Sequence, residues 1–222
     1  MSNSGLSEKT KLKHMNQLAE YRDEVLRPHP TLHSLFFEIT VKCNEHCLHC
    51  GSKCGDITED APLTTEEWKR ILDDVKKDFG SDKLHLCITG GEPLLNKDFF
   101  EIMDYAHKLG FWWGMTSNGT LINPEVAHKL KETGMRTVSV SVDGLKETHD
   151  WFRQSPGSYE KTLAGIKNLL TEKAFDHVQV TTVVHKRNIG ELDEIRPGVR
   201  IRSGIRRAVS EQQFAGQSVR LE

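Results

Sequence analysis

Three cysteines, Cys43, Cys47 and Cys50, stand in the run C-N-E-H-C-L-H-C, with three residues inside the first pair and two inside the second. Three thiolates on one short loop can hold three irons of a cubane cluster and leave the fourth iron without a protein ligand, whereas an electron-transfer cluster takes four cysteines. An iron left open is a place for substrate chemistry. The competing chemistry is a zinc site in which Cys54, His46 or His49 completes a tetrahedron. The five cysteines of the chain are odd in number and mostly crowded into one window, which favours metal or cluster binding over a disulfide framework.

Three other stretches carry groups suited to holding a small polar ligand. Gly90-Gly91-Glu92-Pro93 pairs two glycines, which let a backbone approach closely, with a carboxylate that can accept from an ammonium group. Thr116-Ser117-Asn118-Gly119 and Ser139-Val140-Ser141-Val142-Asp143-Gly144 offer side chains that can bond hydroxyls or a carboxylate. Each of the three is also compatible with an ordinary turn, since Asn-Gly and Asp-Gly are routine turn residues.

The elements that must position these groups follow from hydrophobic patterning. Residues 9–27 place Leu12, Met15, Leu18, Tyr21 and Leu26 at roughly helical spacing, and the following RPHP ends the helix. Strands are expected at 34–41, 83–89, 111–116, 136–142 and 177–183, alternating with helices at 64–79, 97–109, 124–133, 158–172 and 189–195. Five strand-helix units in series predict a parallel sheet with right-handed crossovers. Flat sheet and curved barrel are equally compatible with that periodicity. In either, the C-terminal ends of the strands share one face, where such folds build their sites. The cysteine loop, GGEP, TSNG and SVDG all fall at such ends.

The organisation expected is an N-terminal helix and linker (1–33), a core (34–195) and an irregular tail (196–222) with six arginines and no lysine. The change of character near Ile195 predicts that the native domain is interrupted there, leaving a sixth strand missing. A formal net charge of −2 and 28% charged residues give no nucleic-acid footprint and no basic membrane anchor. The polar N-terminus lacks a secretory h-region and no stretch is long enough to span a bilayer, so a cytoplasmic location is expected.

C-x3-C-x2-C after the first strand, followed by GGEP after the second, resembles the radical S-adenosylmethionine (SAM) superfamily, from about Ser34 to Ile195. The resemblance implies an α/β fold, a partial (β/α)6 barrel of which five βα units are recognisable and the sixth strand is missing or uncertain. It implies a 4Fe-4S cluster on Cys43, Cys47 and Cys50, chelated by the amino and carboxylate groups of SAM. One-electron reduction then cleaves SAM to methionine and a 5'-deoxyadenosyl radical that abstracts hydrogen from substrate. By the match of motifs, Gly90, Gly91 and Glu92 of the GGEP turn closed by Pro93 would meet the methionine amino group. Ser117, Asn118, Ser141 and Asp143 would lie near the ribose or carboxylate.

The stretch from Ser139 to Leu169 is similar to the subgroup of peptide-modifying and sulfatase-maturating enzymes, which often carry a C-terminal SPASM extension with auxiliary clusters. That similarity implies Arg153 as a bidentate partner of the SAM carboxylate, a peptide or protein substrate, and an electron donor such as a flavodoxin or ferredoxin. With no cysteine after Cys87, the chain itself cannot build an auxiliary cluster. A compact activating or ring-forming radical SAM enzyme and a zinc-stabilised binding module remain as alternatives. Cys87 is expected to be a small buried hydrophobe, Cys54 a loop cysteine without a role of its own, and His149 and His185 solvated or capping residues. Only one of Trp112 and Trp113 can face the core.

Overall fold

The computed structural model describes residues 7–28, 32–54 and 61–198, with side chains described as far as Ile195. The chain divides into two compact units, Met1–His33 and Ser34–Glu222. Most of the Arg-rich tail, and part of the RPHP linker, lie outside the described residues.

In the first unit, α1 (Glu8–Tyr21) is capped by the Ser7 hydroxyl, which accepts from the Thr10 amide, and runs on as a π-helical turn over Arg22–Leu26. The second unit holds five strands: β1 (Ser34–Glu38), β2 (His85–Thr89), β3 (Trp112–Ser117), β4 (Met135–Ser141) and β5 (His177–Thr181). All pair in parallel, in the order β1-β2-β3-β4-β5. Sequential order with right-handed crossovers puts every connecting helix on the same side of the sheet. Topology therefore selects the singly wound, barrel-type architecture over a doubly wound sheet, a choice that periodicity left open.

The connecting helices are α2 (Thr65–Phe79), α3 (Phe99–Lys108), α4 (Pro124–Glu132), α5 (Lys146–Arg153) and α6 (Ser158–Glu172), and α7 (Leu192–Gly198) follows β5. Local chemistry sets their ends. A capping box between Thr64 and Glu67 opens α2, and Asn123 caps α4 ahead of Pro124 in its first turn. On the helix side of the sheet Leu86, Ile88, Trp113, Met115, Val138 and Val140 are buried, as are Phe99, Ile102, Met103, Leu130 and Leu169 on the helices, and Phe99 meets Trp113 edge-on at 5.8 Å. Trp113 is fully buried and donates through its indole N–H to the Thr133 carbonyl at 2.7 Å, while Trp112 points to the other face.

That other face has a different composition. Alternation puts Glu38, Thr89, Thr116, Ser139, Ser141 and Thr181 there, with Phe36 and Trp112 nearer the strand N-termini. A hydroxyl-rich face cannot be half of an apolar core, so it is suited to facing a polar ligand or water. Cys87 corrects the expectation of a buried hydrophobe: it is only half-buried on this face, with its Sγ 3.3 Å from His85 Nδ1.

Candidate functional site at the strand C-termini

The cluster loop leaves β1 and runs directly against the GGEP turn. The Gly91 and Glu92 amides donate to the carbonyls of Thr40 and Lys42, each at 2.8 Å. A Cβ on Gly90, whose φ is +141°, would fall 2.2 Å from the Thr40 carbonyl oxygen, and one on Gly91 would fall 2.1 Å from that of Lys42. The obstructing atoms are backbone and cannot swing aside. Both glycines are thus required for the turn to press on the stretch that carries Cys43.

Glu92 is completely buried and joins GGEP to the next turn. Its carboxylate accepts from the Ser117 hydroxyl at 2.9 Å and the Asn118 amide at 2.8 Å. Burial pushes its pKa up to about 7, with the bonds from Asn118 and Ser117 opposing. Asn118 in turn reaches the cluster loop, its side-chain amide donating to Asn44 Oδ1 at 2.8 Å, while Asn44 Nδ2 donates to Thr120 Oγ1 at 2.8 Å. One side of the loop is therefore held by uncharged groups and a single carboxylate.

On the opposite side the contacts are ionic. Arg153, at the end of α5, directs Nε (2.8 Å) and Nη2 (2.6 Å) to Asp143 Oδ2, and Nη1 to Glu45 Oε2 (3.3 Å) and Cys47 Sγ (3.6 Å). Glu45 Oε1 accepts a short hydrogen bond from the Ser158 hydroxyl. Because that hydroxyl donates to Glu45, it accepts from His149 Nε2 at 3.3 Å, and His149 Nδ1 accepts from the Asp143 amide at 3.1 Å. These bonds close a ring, Glu45–Ser158–His149–Asp143–Arg153, whose five members are all buried. Burial, reinforced by Arg153, holds the His149 pKa down at about 4, so the imidazole is neutral with its proton on Nε2. Burial alone would lower the Arg153 pKa, but Asp143, Cys47 and Glu45 together more than reverse it. The backbone adds to the clamp, with His46 N–H donating to Arg153 O (3.3 Å) and Leu48 N–H to Phe152 O (2.9 Å).

The three cysteine thiols are free and half-buried. Cys47 and Cys50 sulfurs already accept N–H bonds, from Arg153 and from the Cys54 amide (3.3 Å), the environment expected of sulfurs that will carry negative charge. Burial pushes the Cys47 thiol up to about 12 against the pull of Arg153, so it would ionise only with a strong electrophile such as iron to take the charge. Among the described residues no three His, Cys, Asp or Glu side chains converge on one ion position. A zinc tetrahedron needs such convergence, whereas a cubane takes each thiolate at a different iron. Three sulfur donors on one loop, two of them already accepting N–H bonds, suit ligation of an iron-sulfur cluster. Cys54 is buried behind the loop, its thiol pushed up to about 11 mainly by burial. His49 stacks on Phe152 (4.4 Å, 3°), and Phe152 stacks on His185 (4.2 Å).

Gly90, Gly91, Glu92, Asn118 and Arg153 thus meet the stretch that carries the cysteines directly, Ser117 and Asp143 meet it through Glu92 and Arg153, and Pro93 and Ser141 make no described contact with it. Asp143 gives one oxygen to Arg153 and the other to the Val183 amide (2.8 Å), and the Arg153 fork is engaged by protein carboxylates. Pro93 opens a 3-10 turn, and Ser141 is half-buried at the end of β4. Of the two readings for His149 and His185, solvated or capping, the solvated one is corrected: His149 is a buried ring member that accepts from the Asp143 amide, and His185 accepts from the Arg187 amide and stacks on Phe152. Asn44, Glu45 and Ser158 were missed. Asn44 and Glu45 look like spacers between cysteines, and nothing in the sequence marks Ser158 beyond its place at the start of a helix.

A singly wound parallel sheet with a three-cysteine loop at the end of β1 defines a class of cluster-dependent barrel, and residues 37–196 match the Radical SAM superfamily. The chain belongs to that superfamily, whose members use a 4Fe-4S cluster and SAM. It is 41% identical over 157 residues to the AdoMet-dependent heme synthase of Methanosarcina barkeri, covering 70% of this chain and 44% of that protein. It is 34% identical over 163 residues to the mycofactocin maturase of Mycobacterium tuberculosis, covering 72% and 40%. The chain thus spans less than half the length of these relatives. Among solved structures, SuiB of Streptococcus suis bound to S-adenosylmethionine shares the fold with a TM-score of 0.65 at 16% identity, over 88% of this chain and 44% of that one. No helix among the described residues is long and apolar enough to cross a membrane.

Proposed function

We propose that residues 34–195 form a radical SAM core that binds a 4Fe-4S cluster through Cys43, Cys47 and Cys50 and cleaves SAM reductively. The observation that carries this is the convergence of the cysteine loop, GGEP, TSNG and SVDG at one end of a singly wound sheet. When bound, the cluster supplies the electron that splits SAM into methionine and a 5'-deoxyadenosyl radical. The protein's own work is positional. The GGEP backbone, the hydroxyl of Ser141 and the polar rim at Ser117–Asn118 would bind and orient SAM, and the ring around Glu45 keeps the cysteine loop in place. Arg153, assigned from resemblance to the SAM carboxylate, and Asp143, assigned to its ribose or carboxylate, would have to share their bonds with each other to serve there.

A peptide or protein substrate is proposed from the likeness to mycofactocin maturase, with reducing equivalents from a flavodoxin or ferredoxin. A tetrapyrrole substrate is the second reading, favoured by the higher identity to the heme synthase. Mixing the chain with a porphyrin and watching for a shifted Soret band separates the two. Free thiols at all five cysteines support a reducing compartment such as the cytoplasm. The test is anaerobic reconstitution with iron and sulfide, then dithionite and SAM. Release of 5'-deoxyadenosine, abolished in Cys47→Ala, is expected; zinc retention with no iron uptake would overturn the proposal.

A further inference from the structure

Of the closed ring at the cysteine loop, the motif-based assignment of the site uses Asp143 and Arg153 alone and gives Glu45, Ser158 and His149 no role. The ring's geometry points to one. Glu45 lies inside the cysteine spacing, 1% exposed, and both of its oxygens are taken by groups from α5 and α6. Arg153 is the cation of the ring and reaches past Glu45 to Cys47 Sγ. The ring therefore joins a ligand sulfur to two helices by hydrogen bonds alone, with no exposed member to be exchanged for water.

Resting on the proposed radical SAM assignment, we propose that Glu45 and Arg153 are positioning residues for the cluster: they preform the cysteine loop and set the potential at which the cluster accepts its electron. Two electrostatic effects act at Cys47 and have opposite sign. A guanidinium N–H donated to a ligand sulfur stabilises the more negative, reduced cluster and raises the potential, as hydrogen bonds to cluster sulfurs do. The Glu45 carboxylate, 3.8 Å from the same sulfur, lowers it. Arg153 pairs with both Asp143 and Glu45, so the cation at Cys47 and the carboxylate at Cys47 belong to one linked set of contacts. Removing the charge of Arg153 or of Glu45 therefore moves the potential, and the sign of the movement identifies which of the two was removed. Arg153 is thereby assigned to the cluster sulfur as much as to any carboxylate of SAM.

The test is an EPR-monitored redox titration of the reconstituted chain without SAM, with iron and sulfide content measured in parallel. Arg153→Gln is expected to lower the midpoint potential and Glu45→Gln to raise it. Each should change the reduction equilibrium about tenfold, which is about 59 mV for one electron. Glu45→Gln keeps the shape and one acceptor oxygen, and Arg153→Lys, which keeps the charge, should return toward the parent value. A merely structural role would change cluster content without this sign reversal. Loaded variants with unchanged potentials, or shifts of the same sign, would overturn the proposal. In the cluster-free chain, hydrogen exchange at the His46 and Leu48 amides should be at least tenfold faster in Glu45→Ala than in the parent, and equal rates would overturn the preformed clamp. If the parent takes up no cluster, the radical SAM assignment itself fails, and the exchange measurement still decides whether the clamp exists.

Discussion

The cysteine loop is held from two sides by different chemistry. Toward β2 and β3, Asn44, Asn118, Thr120, Ser117 and Glu92 make a neutral net around a carboxylate that has no cation among its hydrogen-bond partners. Toward α5 and α6, an arginine ties two carboxylates into a ring with a serine and a histidine. A buried carboxylate without a cation answers desolvation by a rise in its pKa, as Glu92 does, whereas a carboxylate beside a guanidinium has a compensating charge. Glu92 can therefore change protonation near neutral pH, whereas on the other side Arg153 pairs directly with both carboxylates. The first side suits a surface that receives a polar ligand, and the second suits an anchor.

The sharpest way to break the contrast is Arg153→Met, which leaves Asp143 and Glu45 buried without their cation. A loss of about 3–5 kcal/mol is expected, read as the midpoint of denaturant unfolding. Gly91→Ala attacks the neutral side. Its new Cβ meets two backbone carbonyls, Lys42 and Val41, at 2.1 and 2.9 Å, so a loss of about 3 kcal/mol, at the upper end for overpacking, is expected with failure to load iron.

Proton linkage sharpens the comparison further. Glu92 has a folded pKa of about 7 against an ordinary 4.5, so the folded state binds the extra proton and stability falls as pH rises from 4.5 to 7. His149 has a folded pKa of about 4 against an ordinary 6.5, so the unfolded state binds the extra proton and stability falls as pH drops from 6.5 to 4. Each contribution is at most about 3.4 kcal/mol, and across the shared window they oppose one another. In the cluster-free chain, Glu92→Gln should leave stability rising with pH between 4.5 and 6.5, and His149→Gln should leave it falling. The smallest effect is expected at Cys54→Ala: about 1–2 kcal/mol of stability with iron content unchanged, whereas loss of metal would point to Cys54 as a ligand.

Much of this architecture was legible because apolar periodicity reports burial. The five strands and the helices α2, α3, α4 and α6 have hydrophobic faces turned to the core, and each was expected within a few residues. Helix α5 was not. Its buried residues are Thr148, His149, Phe152 and Arg153, so its inward face is mostly polar and no apolar stripe announces it. The same fact hides the ring: polar residues that satisfy one another inside a protein look like surface residues in a sequence. The cysteines and GGEP were readable from their spacing, and sequential strand order then confirmed that their turns share one mouth. Glu45 carried no such signal, because only the tertiary fold brings Ser158 and Arg153 to it.

The most direct test of the account is EPR of the anaerobically reconstituted, reduced chain with and without SAM. A reduced 4Fe-4S signal whose g values change on adding SAM is predicted, since one iron is left open for that ligand. A cluster indifferent to SAM, or a chain that retains zinc and takes up no iron, would contradict it.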